Sequence, residues 1–426
     1  MKLISYWHDT ATAVDDFRRT PVPPRVDIAV VGGGFTGLSA ALELAKKGAS
    51  VALLEKNTIG WGASGRNGGM ATTGLAVGLG SAVQRYGKDR AFEMFLEYDR
   101  AINTIEELVD EYSIDCDFER HGKLSLAYRP SHQASLEKTA ELLREIPGYP
   151  ELTVLDKDSI QTELGSTAYQ GGMVDPRGAG LHPQKFVNGL LHAAVAAGVV
   201  VCEDAEVVSI EGKNSPQRII QTTRGKVSAT EVLVGTSGYT QQPFGWLQRR
   251  VIPVGSFIVV TEPLSEDQVN RILPNRRQAS DSKMLTYYFR ITPDDRLLFG
   301  GRARFAMSNP RSDVKSAQIL KQAISEVFPY LRQARIDYCW GGLVDLMMDQ
   351  MVHSGKRDGI HYSIGYSGHG VQMAAHNGRE MARLILGETD RNLWDDLAFP
   401  AVPGHFGWPW FLPFIGGAAK VIDTVR

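Results

Sequence analysis

Three glycine-bearing clusters and one aromatic-basic stretch carry the residue types and spacings from which chemistry can be read. The first is Gly32-Gly33-Gly34-Phe35-Thr36-Gly37, with Glu55 about 20 residues beyond Gly34. In a G-x-G-x-x-G turn, Gly32 permits the tight bend, Gly34 lets a pyrophosphate approach the backbone, and Gly37 lets helix and strand pack closely. The phosphates then meet the N–H groups of a helix start, where the dipole favours anions. A carboxylate at Glu55 accepts from ribose hydroxyls and repels a 2′-phosphate, which disfavours NADP. The second cluster is Gly62-Ala63-Ser64-Gly65-Arg66-Asn67-Gly68-Gly69. Its glycines allow close approach, while Ser64, Arg66 and Asn67 can donate hydrogen bonds. The third is Ser367-Gly368-His369-Gly370, whose free N–H groups at a helix start suit negative charge; His369 is also a candidate base by residue type. The fourth, Tyr287-Tyr288-Phe289-Arg290 with Arg302 beyond it, offers aromatic walls and a guanidinium able to pair with a carboxylate. An ordinary strand with inward aromatics and an outward arginine fits that stretch equally well, because period-2 alternation does not say which face meets a ligand.

The elements that must position these residues can be read around them. Val26–Val31 is a continuous apolar run, expected as a buried strand. Leu38, Ala41, Leu42 and Ala45 recur at helical spacing, with Gly48 as the stop. SVALLE then forms a second buried strand that ends in Glu55. Strand, glycine turn, helix, strand and terminal acid in this order predict a dinucleotide-binding unit. Gly60-Trp61-Gly62-Ala63-Ser64-Gly65 has the same spacing, but the polar KNTI precedes it instead of a strand, so it is rejected as a second site. One fingerprint for one tightly held dinucleotide points to a flavin. Further along, a helix is expected after Pro183, strands at Glu206–Ile210 and Glu231–Tyr239, and a strand and helix across Ser363–Leu386.

Composition narrows the class. The chain has 426 residues, 43% hydrophobic and 22% charged, so two or three domains with a substantial core are expected. Basic and acidic residues number 46 and 48, so no basic field argues for nucleic acid. The 44 glycines exceed the usual ~7% share. Cys116, Cys202 and Cys339 are too sparse for a disulfide framework, and no metal site is read. With no signal peptide and no run of ~20 apolar residues, a cytoplasmic location is expected.

Taken together, GASGRNGG, the SYW arm at Ser5–Trp7, DPRGAGLHPQKF, RLLFGGRA and YSGHGVQMAAHNGREMA resemble the D-amino-acid oxidase and sarcosine oxidase superfamily of FAD enzymes. Within it the likeness is to the γ-glutamylputrescine oxidase group, over nearly the whole chain. The resemblance implies noncovalent FAD. It places Gly32, Gly34, Phe35, Thr36 and Gly37 at the pyrophosphate, and Glu55 with Lys56 at the adenosine. It runs Gly62, Ala63, Ser64, Arg66, Asn67, Gly68, Gly69 and Met70 past the ribityl chain and ring. Val207 would meet the adenine, Thr236 and Gly238 the pyrophosphate, and Gly341, Gly342, Ser367, Gly368, His369, Gly370 and Val371 the flavin. Family logic makes the His369 loop a cradle before it makes it a base.

The implied reaction oxidises the C–N bond of a small-molecule amine. Hydride passes to flavin N5, the imine hydrolyses, and O2 reoxidises the flavin to give H2O2; a γ-glutamylated polyamine or another carboxylate-bearing amine is the expected substrate. Tyr288, Arg290, Arg302 and His369 are the candidate catalytic residues. Two departures bear on this: glycines and a leucine stand where sarcosine oxidases carry a flavin-linking cysteine, and Leu298 aligns with their oxygen-activating lysine. The alternatives are an amino-acid or imino-acid dehydrogenase passing electrons to a quinone or other carrier, and a non-catalytic FAD-containing interaction protein.

The expected fold is α/β, α+β overall: a Rossmann-like FAD-binding domain interleaved with a substrate domain built on an antiparallel sheet. Residues 1–24 form an arm, 25–90, 160–240 and 341–395 the FAD domain, 91–159 and 241–340 the substrate domain, and 396–426 a tail. That tail, with Phe406, Trp408, Trp410, Phe411 and Phe414 among four prolines, is expected to exclude a regular helix. It reads as a wrap over the body or an oligomer contact, with a membrane-interface foot as the alternative.

Overall fold

The computed structural model describes residues 1–212, 215–301, 310–407 and 409–425. The apolar run after the arm forms the strand Arg25–Val31, buried from Ile28 to Val31 and exposed only at Arg25 and Asp27. A strand without polar faces must be covered on both sides, and it pairs in parallel with Gly225–Val234 on one edge and Val51–Leu54 on the other. The sheet runs His353–Arg357, Ile360–Ile364, Gly225–Val234, Arg25–Val31, Val51–Leu54, Val200–Cys202, with Arg218–Thr222 and Val207–Glu211 as an antiparallel extension. The helices Phe35–Lys46, Lys88–Glu111, Pro183–Ala196 and Gly370–Ile385 bury Leu38, Ile102, Phe186 and Met373 in a single core with Ile28, Val30 and Leu53 of this sheet. Val207 and Ile220 of the extension, with Val227 of Gly225–Val234, close the opposite face with Ala29 and Val31.

The second sheet is also eight-stranded: Ile336–Leu346, Ile252–Thr261, Leu297–Gly301, Tyr287–Ile291, Gln278–Asp281, Lys123–Ala127, Gly171–Asp175, Thr153–Asp156. It is antiparallel except where Gln278–Asp281 runs parallel to Lys123–Ala127. The chain alternates between the sheets, so each is built from separated segments. Gly171–Asp175 falls within the 160–240 stretch expected in the nucleotide part, yet it bonds Lys123–Ala127 in the second sheet. The expected strand Glu231–Tyr239 is the end of Gly225–Val234 followed by a short 3-10 turn at Ser237–Tyr239.

The arm is not loose. Trp7 is fully buried and Tyr6 nearly so, packed on Ile258, Val260, Leu298 and Trp340 of the second sheet. The tail corrects an expectation: Leu412–Val425 is a helix. Pro413 is its second residue, where the missing N–H has no helical partner to lose and the fixed φ suits the first turn. Phe406, Trp410 and Phe414 are exposed. No helix among the described residues is long and apolar enough to cross a membrane.

Candidate functional site

A cavity of about 700 Å³ lies between the two sheets, toward the upper end of the ~300–1,000 Å³ common for small-molecule sites. Its first end is the glycine turn. Gly32 has φ +108°, and a Cβ there would stand 2.8 Å from the Gly235 carbonyl, so only glycine makes this bend. Gly33 N–H donates to Glu55 Oε2 at 2.7 Å, and Asn57 N–H to Oε1 at 2.8 Å. Burial pushes the Glu55 carboxyl up from its ordinary value, and these backbone donors oppose the shift. Gly32, Gly34, Phe35, Thr36, Glu55, Lys56 and Val207 line the cavity. Gly37 does not: its Cβ would sit 1.9 Å from the Gly32 carbonyl, which makes it the position where helix meets turn.

The second loop is held from behind. Ser5 Oγ donates to the Gly65 carbonyl at 2.8 Å, Trp340 Nε1 to Arg66 at 2.9 Å, and Trp7 Nε1 to Asn67 at 2.7 Å. Three consecutive carbonyls are thereby tied to side chains from the arm and the second sheet. Ser64 Oγ accepts from Phe35 N–H at 2.9 Å and joins this loop to the first. Gly62, Ala63, Ser64, Arg66, Asn67, Gly68 and Met70 line the cavity. Gly69 lies behind, with φ +66° and no room for a Cβ beside the Leu181 carbonyl.

The third loop follows the strand Ile360–Ile364. Asp345, buried at the end of the second sheet, accepts from Gly365 N–H at 2.8 Å and Tyr366 N–H at 3.3 Å. Burial raises its carboxyl above the ordinary value. Ser367 adopts φ +50°, rare for a side-chain-bearing residue, and Gly368 φ +96°. Ser367, Gly368, His369, Gly370 and Val371 line the cavity at the start of the helix Gly370–Ile385, with His369 as its N-cap and edge-on to the Tyr98 ring. Thr36 Oγ1 and Tyr366 OH are 2.7 Å apart, closing the first and third loops on each other. Thr236 and Gly342 also line the cavity; Gly238 packs on Leu343 outside it, and Gly341 lends its carbonyl to Arg66.

The aromatic-basic stretch divides by strand alternation. Tyr287 and Phe289 face the core of the second sheet, while Tyr288 lines the cavity with its hydroxyl 3.0 Å from Ser256 Oγ. Gly300 and Gly68 leave space for that ring. Arg290 does not reach the cavity, which corrects its expected role toward substrate. Its buried guanidinium donates to the carbonyls of Gly69 and Leu181, and burial lowers its pKa to about 10. Arg302 lies outside the described residues. Leu298 is buried in the arm cluster and does not line the cavity. Cys339 points to the Asp313 carbonyl, and none of the three cysteines lines the cavity.

Sequence reasoning missed Asp345, Tyr239 and Lys123 among the lining residues. Tyr239 OH accepts from Leu343 N–H at 3.2 Å, and its ring meets Trp61. Lys123 sits in a stretch, His121–Pro130, that reads as a strand but carries no binding motif, and nothing in the pattern around Asp345 marks its side chain. Chemically, the cavity offers a glycine turn with a terminal acid at one end, glycine loops in the middle, and an aromatic wall at the other. A long dinucleotide fits that layout: side chains at Gly32 or Gly34 would collide with backbone or Ser64, and all three loops open onto the same space.

Residues 27–384 match the family described as "FAD dependent oxidoreductase". The chain is 34% identical to the gamma-glutamylputrescine oxidoreductase of Escherichia coli (strain K12) over 407 residues, 95% of this chain and 93% of that protein. It is also 34% identical to a probable oxidoreductase, OrdL, of Haemophilus influenzae, over 94% and 92% of the two chains. Glycine oxidase from Geobacillus kaustophilus superposes with a TM-score of 0.69 at 23% identity, covering 90% of this chain and 99% of that one, which shows a shared fold.

Proposed function

The chain belongs to the FAD-dependent oxidoreductases acting on amines or amino acids, uses FAD as its cofactor, and from that premise we propose that it oxidises the C–N bond of an amine carrying a carboxylate. The observation that carries this reading is the single cavity running from the Gly32 turn past Gly62–Gly68 to Tyr288. The name of the E. coli relative supports the amine; whether the substrate here is γ-glutamylated belongs to the proposal. O2 is the proposed acceptor.

In this reading Gly32, Gly34, Phe35 and Thr36 hold the pyrophosphate, Glu55 the adenosine ribose, Gly62–Gly68 the ribityl chain, and Ser367–Val371 the isoalloxazine. When bound, FAD supplies the two-electron acceptor. The rest is positioning. Tyr288, fixed by Ser256 and by the flanking glycines, forms a wall that orients the substrate carbon and excludes water, which hydride transfer needs more than it needs a strong base. Gly370 and Val371 open the helix Gly370–Ile385 onto the cavity, and their N–H groups with the helix dipole would stabilise negative charge on a flavin reduced there. His369 caps this helix and is read as part of the cradle. The imine product hydrolyses to a carbonyl compound and an amine or ammonia. The domain division is kept in this proposal with three changes: Gly171–Asp175 and the whole of Ile336–Leu346 join the substrate part, and the helix Lys88–Glu111 joins the FAD part.

The test is anaerobic mixing of the holoenzyme with a panel of amines and amino acids. Bleaching of the flavin absorbance by at least one amine, followed in air by stoichiometric H2O2, is the expected result. Flavin that no amine bleaches overturns the reaction; rapid reoxidation by a quinone with slow reoxidation by air overturns the acceptor.

A further inference from the structure

Of the three lysines that line the cavity, Lys56 pairs with Glu206 at the nucleotide end, and the surroundings of the other two differ. Lys283 is compensated: its ammonium lies 4.1 and 4.4 Å from the ring centroids of Tyr128 and Tyr287, and 4.0 Å from Asp281 Oδ2. Lys123 opens the strand Lys123–Ala127 and donates to the Thr73 carbonyl at 2.9 Å. No carboxylate among the described residues pairs with it. Asp175, directly across the strand pair, is already engaged by Thr73 Oγ1 and Tyr149 OH, both at 2.7 Å, and by Arg177. The acidic residues of the lining, Glu55, Glu206 and Asp345, belong to the nucleotide end and the cradle. An ammonium has three donors, and among the described residues one of the three has a protein acceptor. Burial lowers the pKa of Lys123, and the charge of Asp175 across the strand pair opposes that shift without forming an ion pair.

We propose that Lys123 is the anchor for the carboxylate of the substrate, taking the role that residue type alone suggested for Arg290. This rests on the proposed amine oxidation and names its substrate class more closely: an amine whose carboxylate arm reaches Lys123. Thr73 follows the glycine loop Gly62–Gly69 by a few residues, so the Thr73–Lys123 bond ties the anchor to the segment expected to run past the flavin. A carboxylate here supplies the hydrogen-bond acceptors that Lys123 lacks among the described residues. A neutral amine gains nothing from it. The cation also disfavours a protonated amine nearby, which favours the neutral form that gives up hydride.

The test reads binding to oxidised holoenzyme through the perturbation of the flavin absorption spectrum, using glutarate and its uncharged analogue glutaramide. Wild-type protein is expected to bind glutarate more tightly. Lys123→Met should weaken glutarate by about 10- to 100-fold, the size of one charge-assisted hydrogen bond, and leave glutaramide unchanged. Lys123→Arg should restore most of the loss. Lys123→Gln serves in place of the methionine variant if that variant does not retain flavin. Equal binding of the two ligands by the wild type overturns the proposal, as does an unchanged glutarate affinity in the variants or an equal loss for both ligands. Binding is read without turnover. Flavin that no amine bleaches would therefore sink the reaction and leave this anchor standing, and the converse result would sink the anchor alone.

Discussion

The indole N–H of Trp7 donates to the backbone carbonyl of Asn67 at 2.7 Å, joining the N-terminal arm to the middle of the glycine loop that lines the cavity. Trp7 is itself fully buried, so this bond is shielded from water and holds the loop at a fixed depth. Trp7→Phe keeps most of the ring and removes the donor. The unpaired carbonyl should cost about 1–3 kcal/mol. A lower melting temperature with FAD released more readily on dilution is expected; an unchanged flavin dissociation constant would separate the arm from the site.

Gly37 tests the turn. A methyl group there would lie 1.9 Å from the Gly32 carbonyl, which is backbone and cannot swing aside. Gly37→Ala should therefore displace the helix start, costing roughly 1–3 kcal/mol or more by overpacking. The purified variant should carry little flavin by its visible absorbance, even though Gly37 itself does not line the cavity.

Arg290 and Tyr288 share one strand face and should behave differently. Arg290→Met leaves the Leu181 carbonyl without its buried donor and the Gly69 carbonyl with only the Leu181 N–H, a loss of about 1–3 kcal/mol for the one unmet group. Urea unfolding should show it, while KM for the best amine stays near the wild-type value. Tyr288→Phe should do the reverse, altering KM or the rate of flavin reduction with little change in stability.

Asp281 should make stability fall with rising pH. Burial raises its carboxyl from 3.8 to about 7. Between those values the folded protein keeps a proton that the unfolded chain has released. This contribution is therefore fully present below about pH 4 and is lost as pH rises through about 7. The difference in unfolding free energy between wild type and Asp281→Asn, measured by urea denaturation at pH 5 and pH 8, should shift against the wild type at the higher pH. A constant difference would contradict the raised carboxyl.

Flavin attachment can be checked by acid. The cysteines at 116, 202 and 339 are buried, and desolvation pushes the thiols of Cys116 and Cys339 up to about 12. A thiol of that kind away from the cavity is not a reactive nucleophile. Acid precipitation should leave yellow flavin in the supernatant and a colourless pellet.

Legibility followed sequence distance. The first strand, glycine turn, helix and second strand are specified by contiguous residues: an apolar run, a required positive φ at Gly32, helical spacing and a terminal acid. Backbone conformation of that kind is decided locally, so it can be read without knowing what packs against it. The period-2 pattern at Tyr287–Arg290 carried half of its information, separating Tyr288 and Arg290 from Tyr287 and Phe289 without saying which face meets the cavity. The tail helix was misjudged because a proline in the first turn of a helix obstructs nothing.

By itself the amino-acid sequence determined the kind of site, because glycine turns and helix starts recognise a dinucleotide through nearby backbone. Tertiary structure alone decided which side chains complete it. Trp7, Lys123, Asp345 and Tyr366 reach the cavity or its supports from segments far apart in the chain, brought together by two interleaved sheets. Burial then assigned their roles: Arg290, with backbone carbonyls at hand, became a clamp, and Lys123, with a single acceptor, was left facing the ligand space. Residue type does not distinguish those two cations; the partners that packing places around each one do.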